Sequence, residues 1–171
     1  MTKKVPHLSL ILLVLLPGTL WVSCTQERQP CLTPKIASFI IHTTHFPTDT
    51  SLTVADTAMP AAMLLALTNT GAKGGYYPLQ SSFTLSLSSV SDTCRWLFAP
   101  DTTGTPAFDT LTFYYQRKLQ FLSNACGYAY FYNLDTAFTT HTYIDSVTIL
   151  NRSVNNNVNT THLQIYIHPD Y

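Results

Sequence analysis

SFTLSLSS, residues 82–89, places Phe83, Leu85 and Leu87 at every second position and fills the gaps with Thr84, Ser86 and Ser88. Successive side chains of a strand point to opposite faces, so this segment is a strand with one apolar and one polar face. The same period recurs on either side of it. In Leu111–Phe121 the odd positions are Leu111, Phe113, Tyr115, Leu119 and Phe121, broken only by Arg117, which predicts a bulge or bend at Gln116–Lys118. CGYAYFYNL (126–134) sets Tyr128, Tyr130 and Tyr132 against Ala129 and Phe131, and HLQIYIH (162–168) aligns Leu163, Ile165 and Ile167. IASFII (36–41), CRWLFAP (94–100) and IDSVTILNRSV (144–154) read as further strands, with SLTVAD (51–56) a weaker one. MPAAMLLALTNT (59–70) stays open between helix and strand: Ala, Leu and Met favour helix, while Pro60 and the short length do not. GAKGGYYP (71–78) reads as a turn-rich connector, and DTTGTP (101–106) and NNNVN (155–159) as loops. Short alternating strands with a turn about every ten residues predict an all-β domain, a single antiparallel β-sandwich of immunoglobulin-like (Ig-like) or related type.

The composition agrees. Charged residues make up 11% of the 171, while Tyr and Phe number 10 and 9, so the chain can bury enough apolar surface to fold. The length allows one ordinary domain after a leader. Lys+Arg and Asp+Glu balance at 9 each, and losing Lys3 and Lys4 with the leader leaves about −2. No basic face is available for a phosphate backbone, which argues against nucleic-acid binding.

The N-terminus has the order of a secretory signal: Lys3 and Lys4, the apolar run LSLILLVLL (8–16), then the breaker Pro17-Gly18. Leu8–Val22 falls short of the roughly 20 apolar residues that span a bilayer. Cleavage before Cys24 suits the lipoprotein rule, in which that cysteine becomes the first residue and carries acyl chains; Trp21 stands where Leu is expected. The reading is a leader over 1–23, a polar tether over 24–34 with Pro30 and Pro34, and the sandwich over 35–171. It expects a cell-envelope protein, lipid-anchored through Cys24 at the outer membrane, with ordinary secretion to the periplasm as the alternative.

Three cysteines then remain, Cys31, Cys94 and Cys126. Cys31–Cys126 would pin the segment before the first strand to a central strand. Cys31–Cys94 and Cys94–Cys126 stay open, and Cys94 would otherwise be an unpaired thiol beside Trp96. The sequence lacks a catalytic signature around Cys94, a G-x-S-x-G elbow, a phosphate loop and a zinc spacing. His42 and His45, three apart on a strand, point to opposite faces and do not converge on a metal. The acids Asp49, Asp56, Asp92, Asp101, Asp109, Asp135 and Asp145 stand mostly in Asp-Thr or Asp-Ser contexts that read as turns. No cofactor, metal or enzymatic activity is expected. The remaining candidate is a ligand-binding face made by Tyr114, Tyr128, Tyr130 and Tyr132, with core packing and cross-strand pairing as the competing explanation.

YYQRKLQFLSNACGYAYFYNLD (114–135) and IDSVTILNRSV (144–154), together with the two N-terminal cysteines, resemble a family of small Bacteroidetes lipoproteins of unknown function. The shared elements are a Tyr-x-Arg strand (Tyr115, Arg117), a Ser-x-x-Cys-Gly-Tyr strand start (Ser123, Cys126, Gly127, Tyr128) and an Ile-Asp-x-Val strand (Ile144, Asp145, Val147). The resemblance covers the last third of the chain and leaves the middle, with Cys94, unmatched. It implies envelope attachment and a β-rich fold, favours Cys31–Cys126 pairing, and implies no enzymatic activity. The expected role is therefore binding or accessory, toward the membrane through the N-terminal lipid and toward an envelope protein partner. A carbohydrate- or peptide-binding module using exposed tyrosines is the alternative.

Overall fold

The computed structural model describes residues 30–45, 56–104 and 106–168. Cys31–Tyr171 forms one compact unit. The leader, Cys24 and most of SLTVAD lie outside the described residues.

Among the described residues there are ten strands: β1 Phe39–His45, β2 Met59–Thr68, β3 Gly71–Gln80, β4 Ser82–Leu85, β5 Thr93–Ala99, β6 Asp109–Ser123, β7 Gly127–Thr139, β8 Ile144–Ile149, β9 Ser153–Val154 and β10 Thr161–Ile167. They form a four-stranded sheet, β4-β1-β10-β8, and a six-stranded sheet, β3-β2-β5-β6-β7-β9. The two sheets do not close into a barrel, and the architecture is an all-β sandwich. Among these strands every pairing is antiparallel except β1 with β10, the one parallel pair in two otherwise antiparallel sheets. Those two strands are the most thoroughly buried of the smaller sheet, the usual setting for a parallel pair.

The alternation seen in sequence is what fills the core. Phe83 and Leu85 face inward with Phe39, Ile41, Leu163, Ile165 and Ile167 from one sheet. Leu64, Trp96, Phe98, Leu111, Phe113, Tyr115 and Leu134 meet them from the other. Phe39 stands edge-on to Phe113 across the interior, with ring centroids 4.9 Å apart. Each fully buried Phe or Leu contributes about 1.5–3 kcal/mol of transfer free energy.

One open reading is settled here and another changes. MPAAMLLALTNT is strand β2, because its apolar residues cover the core rather than one stripe of a helix. GAKGGYYP is no connector: the turn is Asn69–Thr70, and Gly71–Gln80 pairs along β2. Glycine is needed there because a Cβ on Gly74 would lie 1.8 Å from the Leu64 carbonyl oxygen.

Two buried polar groups tie elements together. His162 is the residue skipped where the β1–β10 register shifts. Its Nδ1 accepts from the Ile40 amide at 3.1 Å, and its Nε2 donates to the Ser153 carbonyl of β9 at 3.2 Å. The imidazole thus bridges the two sheets in its neutral form. The Asp109 carboxylate, fully buried, accepts from Thr140 Oγ1 (2.6 Å) and from the amides of Thr142 (2.7 Å), Tyr143 (2.6 Å) and Ile144 (3.0 Å). It holds the chain in place between β7 and β8.

Asp109→Asn turns one acceptor into a donor facing these amides, and should cost about 2–4 kcal/mol in urea unfolding at neutral pH. Burial holds the His162 pKa below that of an exposed imidazole. The unfolded chain therefore binds a proton first as pH falls through about 6.5, and stability present at neutral pH is lost on acidification. Urea midpoints at pH 7 and pH 5 should show that loss, and His162→Gln should start lower but vary less between the two.

Candidate functional site

β6 is 15 residues long and β7 is 13, but their neighbours are shorter. β5 accompanies β6 only to Tyr114, after which the Tyr115 amide donates to the Asp92 carbonyl. β9 touches β7 only at Tyr132 and Asn133. Beyond these points β6 and β7 continue as a two-stranded arm to the turn at Asn124–Cys126. Gly127 closes that turn at φ 72°, a conformation that favours glycine. Along the arm Leu119 pairs with Tyr130 and Phe121 with Tyr128, all exposed. These are the inward-facing positions of the sandwich, continued past the point where the opposite sheet covers them.

The expected irregularity near Gln116–Lys118 is present one step earlier and on the partner strand. The register shifts opposite Tyr114 and Tyr115, leaving Asp135 of β7 as the extra residue. Arg152 serves this bulge, its Nη1 donating to the Leu134 carbonyl at 2.8 Å and also to that of Asp135. Arg117 interrupts the apolar series for a different reason: it marks where the core ends. Its Nε donates to Asp92 Oδ1 at 2.6 Å and its Nη1 to the Ser89 carbonyl at 2.8 Å, which clamps the β4–β5 loop onto the root of the arm. The Asp92 hydrogen bond raises the Arg117 pKa above its ordinary value.

Under that loop lies a polar seam. The Tyr115 hydroxyl accepts from the Ser88 amide at 2.8 Å, and Tyr132 donates to the Leu87 carbonyl at 3.4 Å with its ring edge-on to Tyr115. Burial raises both phenol pKa values, and it pushes the free Cys94 thiol up to about 11. Cys94 therefore stays protonated at neutral pH, which makes it a poor nucleophile.

An open groove of about 650 Å³ follows the unaccompanied edge of β6 at the arm's root. Asp92, Tyr114, Gln116, Arg117, Tyr130 and Asp135 line it. Tyr114 and Gln116 come from one face of β6 and Arg117 from the other, as expected of a trough running along a strand edge. Of the four tyrosines proposed from sequence, Tyr114 (44% exposed) and Tyr130 (39%) reach this groove. Tyr128 (64%) lies farther out against Phe121, and Tyr132 (8%) belongs to the core rather than to any outer face. Period-two alternation alone cannot separate these, because Tyr128, Tyr130 and Tyr132 share one face and differ only in what covers it. Arg117, Asp92 and Asp135 belong to the groove without standing out in the sequence as site residues; the arginine interrupting an apolar series is the one signal available.

His42 and His45 do not converge. His42 pairs with Asp56, and among the described residues no cluster of three or more His, Cys, Asp or Glu is placed to hold a metal. Cys31 and Cys126 meet at disulfide distance, with Cα atoms 4.8 Å apart, at the outer end of the arm. Closing a loop of 95 residues contributes about 4–5 kcal/mol in the chain-entropy account. Replacing both cysteines by serine should lower urea stability by about 2–5 kcal/mol. Alkylation of the unfolded, unreduced chain should find Cys94 reactive and Cys31 and Cys126 blocked.

Residues 71–167, more than half of the chain, match the family of unknown function DUF6452, and the chain belongs to that family. The matched span takes in Cys94 and the middle strands and begins after Cys31. No curated protein and no solved structure matches the chain.

Proposed function

We propose that this DUF6452 member is a lipid-anchored accessory protein of a bacterial envelope, held at the outer membrane through acylated Cys24, that binds a partner protein along the groove at the root of its arm. The observation that carries this reading is the unaccompanied edge of β6, flanked by exposed Tyr114, Leu119 and Tyr130. A strand edge offers main-chain donors and acceptors in a row, and aromatic side chains beside it add area at little entropic cost. The role is non-catalytic in this reading. The groove's strongest charges, Arg117 and Asp92, are committed to each other and to the loop they fasten.

A second reading has its own support. Tyr114 and Tyr130 with Gln116 and Asp135 present rings beside hydrogen-bonding groups, which suits a carbohydrate or a short peptide.

Intact-mass spectrometry of membrane-extracted protein should find a mature chain beginning at acylated Cys24; an unmodified soluble chain would refute the anchor. A photo-crosslinking residue at Tyr130 should give one discrete protein adduct in intact cells. The same residue at Tyr76, exposed on edge strand β3, should give none. Equal labelling from both positions would refute the groove, and saturable glycan binding abolished by Tyr130→Ala would favour the second reading.

A further inference from the structure

The outer end of the arm carries features the groove does not use. Phe121 and Tyr128 stand edge-on to each other, ring centroids 5.3 Å apart, and both are exposed. The bridge from Cys126 places Cys31, and with it the almost fully exposed Leu32, beside the same turn. The segment that enters there, 30–38, contains no Asp or Glu and carries one exposed lysine, Lys35, in a chain of zero formal net charge. Three exposed side chains, Leu32, Phe121 and Tyr128, are thus gathered at one end.

Chain length says what lies opposite that end. Cys31 is seven residues after Cys24, a reach of at most about 25 Å when fully extended. Without the bridge, the first core residue would be Ala37, thirteen residues out, and the leash would be about 45 Å. The bridge therefore gives the arm's turn a shorter leash to residue 24 than the core residues have. We propose that the turn of the β6–β7 arm docks on the lipid surface that holds the chain, with Leu32, Phe121 and Tyr128 seated at headgroup level and Lys35, four residues after the bridged Cys31, reaching anionic headgroups. Amphipathic rings and lysines are the groups that such an interface takes up. This inference rests on anchoring at Cys24. The groove, at the opposite end of the arm, is left clear for its partner.

The test uses the full acylated chain, purified from membranes, carrying Phe121→Trp or separately Tyr128→Trp. Each is reconstituted in phosphatidylcholine–phosphatidylglycerol vesicles with or without brominated acyl chains. The parent chain, whose Trp96 is buried, is the blank. Seating roughly 5–10 Å into the headgroup–acyl boundary should let the brominated lipid quench the added tryptophan about two-fold or more. It should also shield that residue from acrylamide. A chain that floats with the vesicles while both tryptophans stay unquenched and acrylamide-accessible would overturn the docking and leave the anchor standing. A chain that neither floats nor carries acyl groups would overturn both. Shielding in native envelopes but not in vesicles would show that a protein covers the turn, which also overturns the lipid assignment.

Discussion

The length of β6 relative to its neighbours is the constraint from which the rest of the molecule follows. Its first seven residues are ordinary sandwich strand, with Leu111, Phe113 and Tyr115 buried between the sheets. From Gln116 onward it has β7 on one side and no strand on the other among the described residues. Most of the unusual features serve that transition. The Asp135 bulge re-aims β7 where the support changes, Arg152 satisfies the carbonyls the bulge exposes, and Arg117 fastens the β4–β5 loop over the last covered ring. A two-stranded ribbon is marginal in water by itself, so an arm of this kind needs its root packed and its end tied. The Tyr115–Tyr132 seam does the first and the Cys31–Cys126 pair the second.

The sandwich was legible because half-buried strands write their faces into the sequence at a period of two. SFTLSLSS, the Leu111–Tyr115 series and HLQIYIH all occupy the faces their alternation assigns. Legibility failed where something other than side-chain period decides. GAKGGYYP looked like a turn because glycine usually marks one, but here the glycines let two backbones approach. The parallel pairing of β1 with β10 unites segments more than a hundred residues apart, and no local pattern encodes a partner's direction.

The site was legible in part for the same reason. Alternation placed Tyr128, Tyr130 and Tyr132 on one face correctly, yet exposure along that face depends on where the opposing sheet ends, a tertiary fact. Asp109 and His162 were unreadable in another sense. Each looks like an ordinary polar residue near a turn, and each is buried because a backbone irregularity needs an acceptor or a bridge at that point. The sequence shows the residue and cannot show the unpaired amide that awaits it.

The bridge between Cys31 and Cys126 also fixes how the domain carries load. Tension on the chain N-terminal to Cys31 reaches the fold at a covalent link and passes directly into the turn between β6 and β7. β1, which otherwise follows the N-terminal segment into the sheet, is bypassed, so its hydrogen bonds to β4 and β10 bear none of that force. A counter-pull from a partner held at the groove would close the mechanical path through the β6–β7 ladder alone. The sandwich would then hang beside that path as an unloaded body, free to stay folded while the arm behaves as the strut.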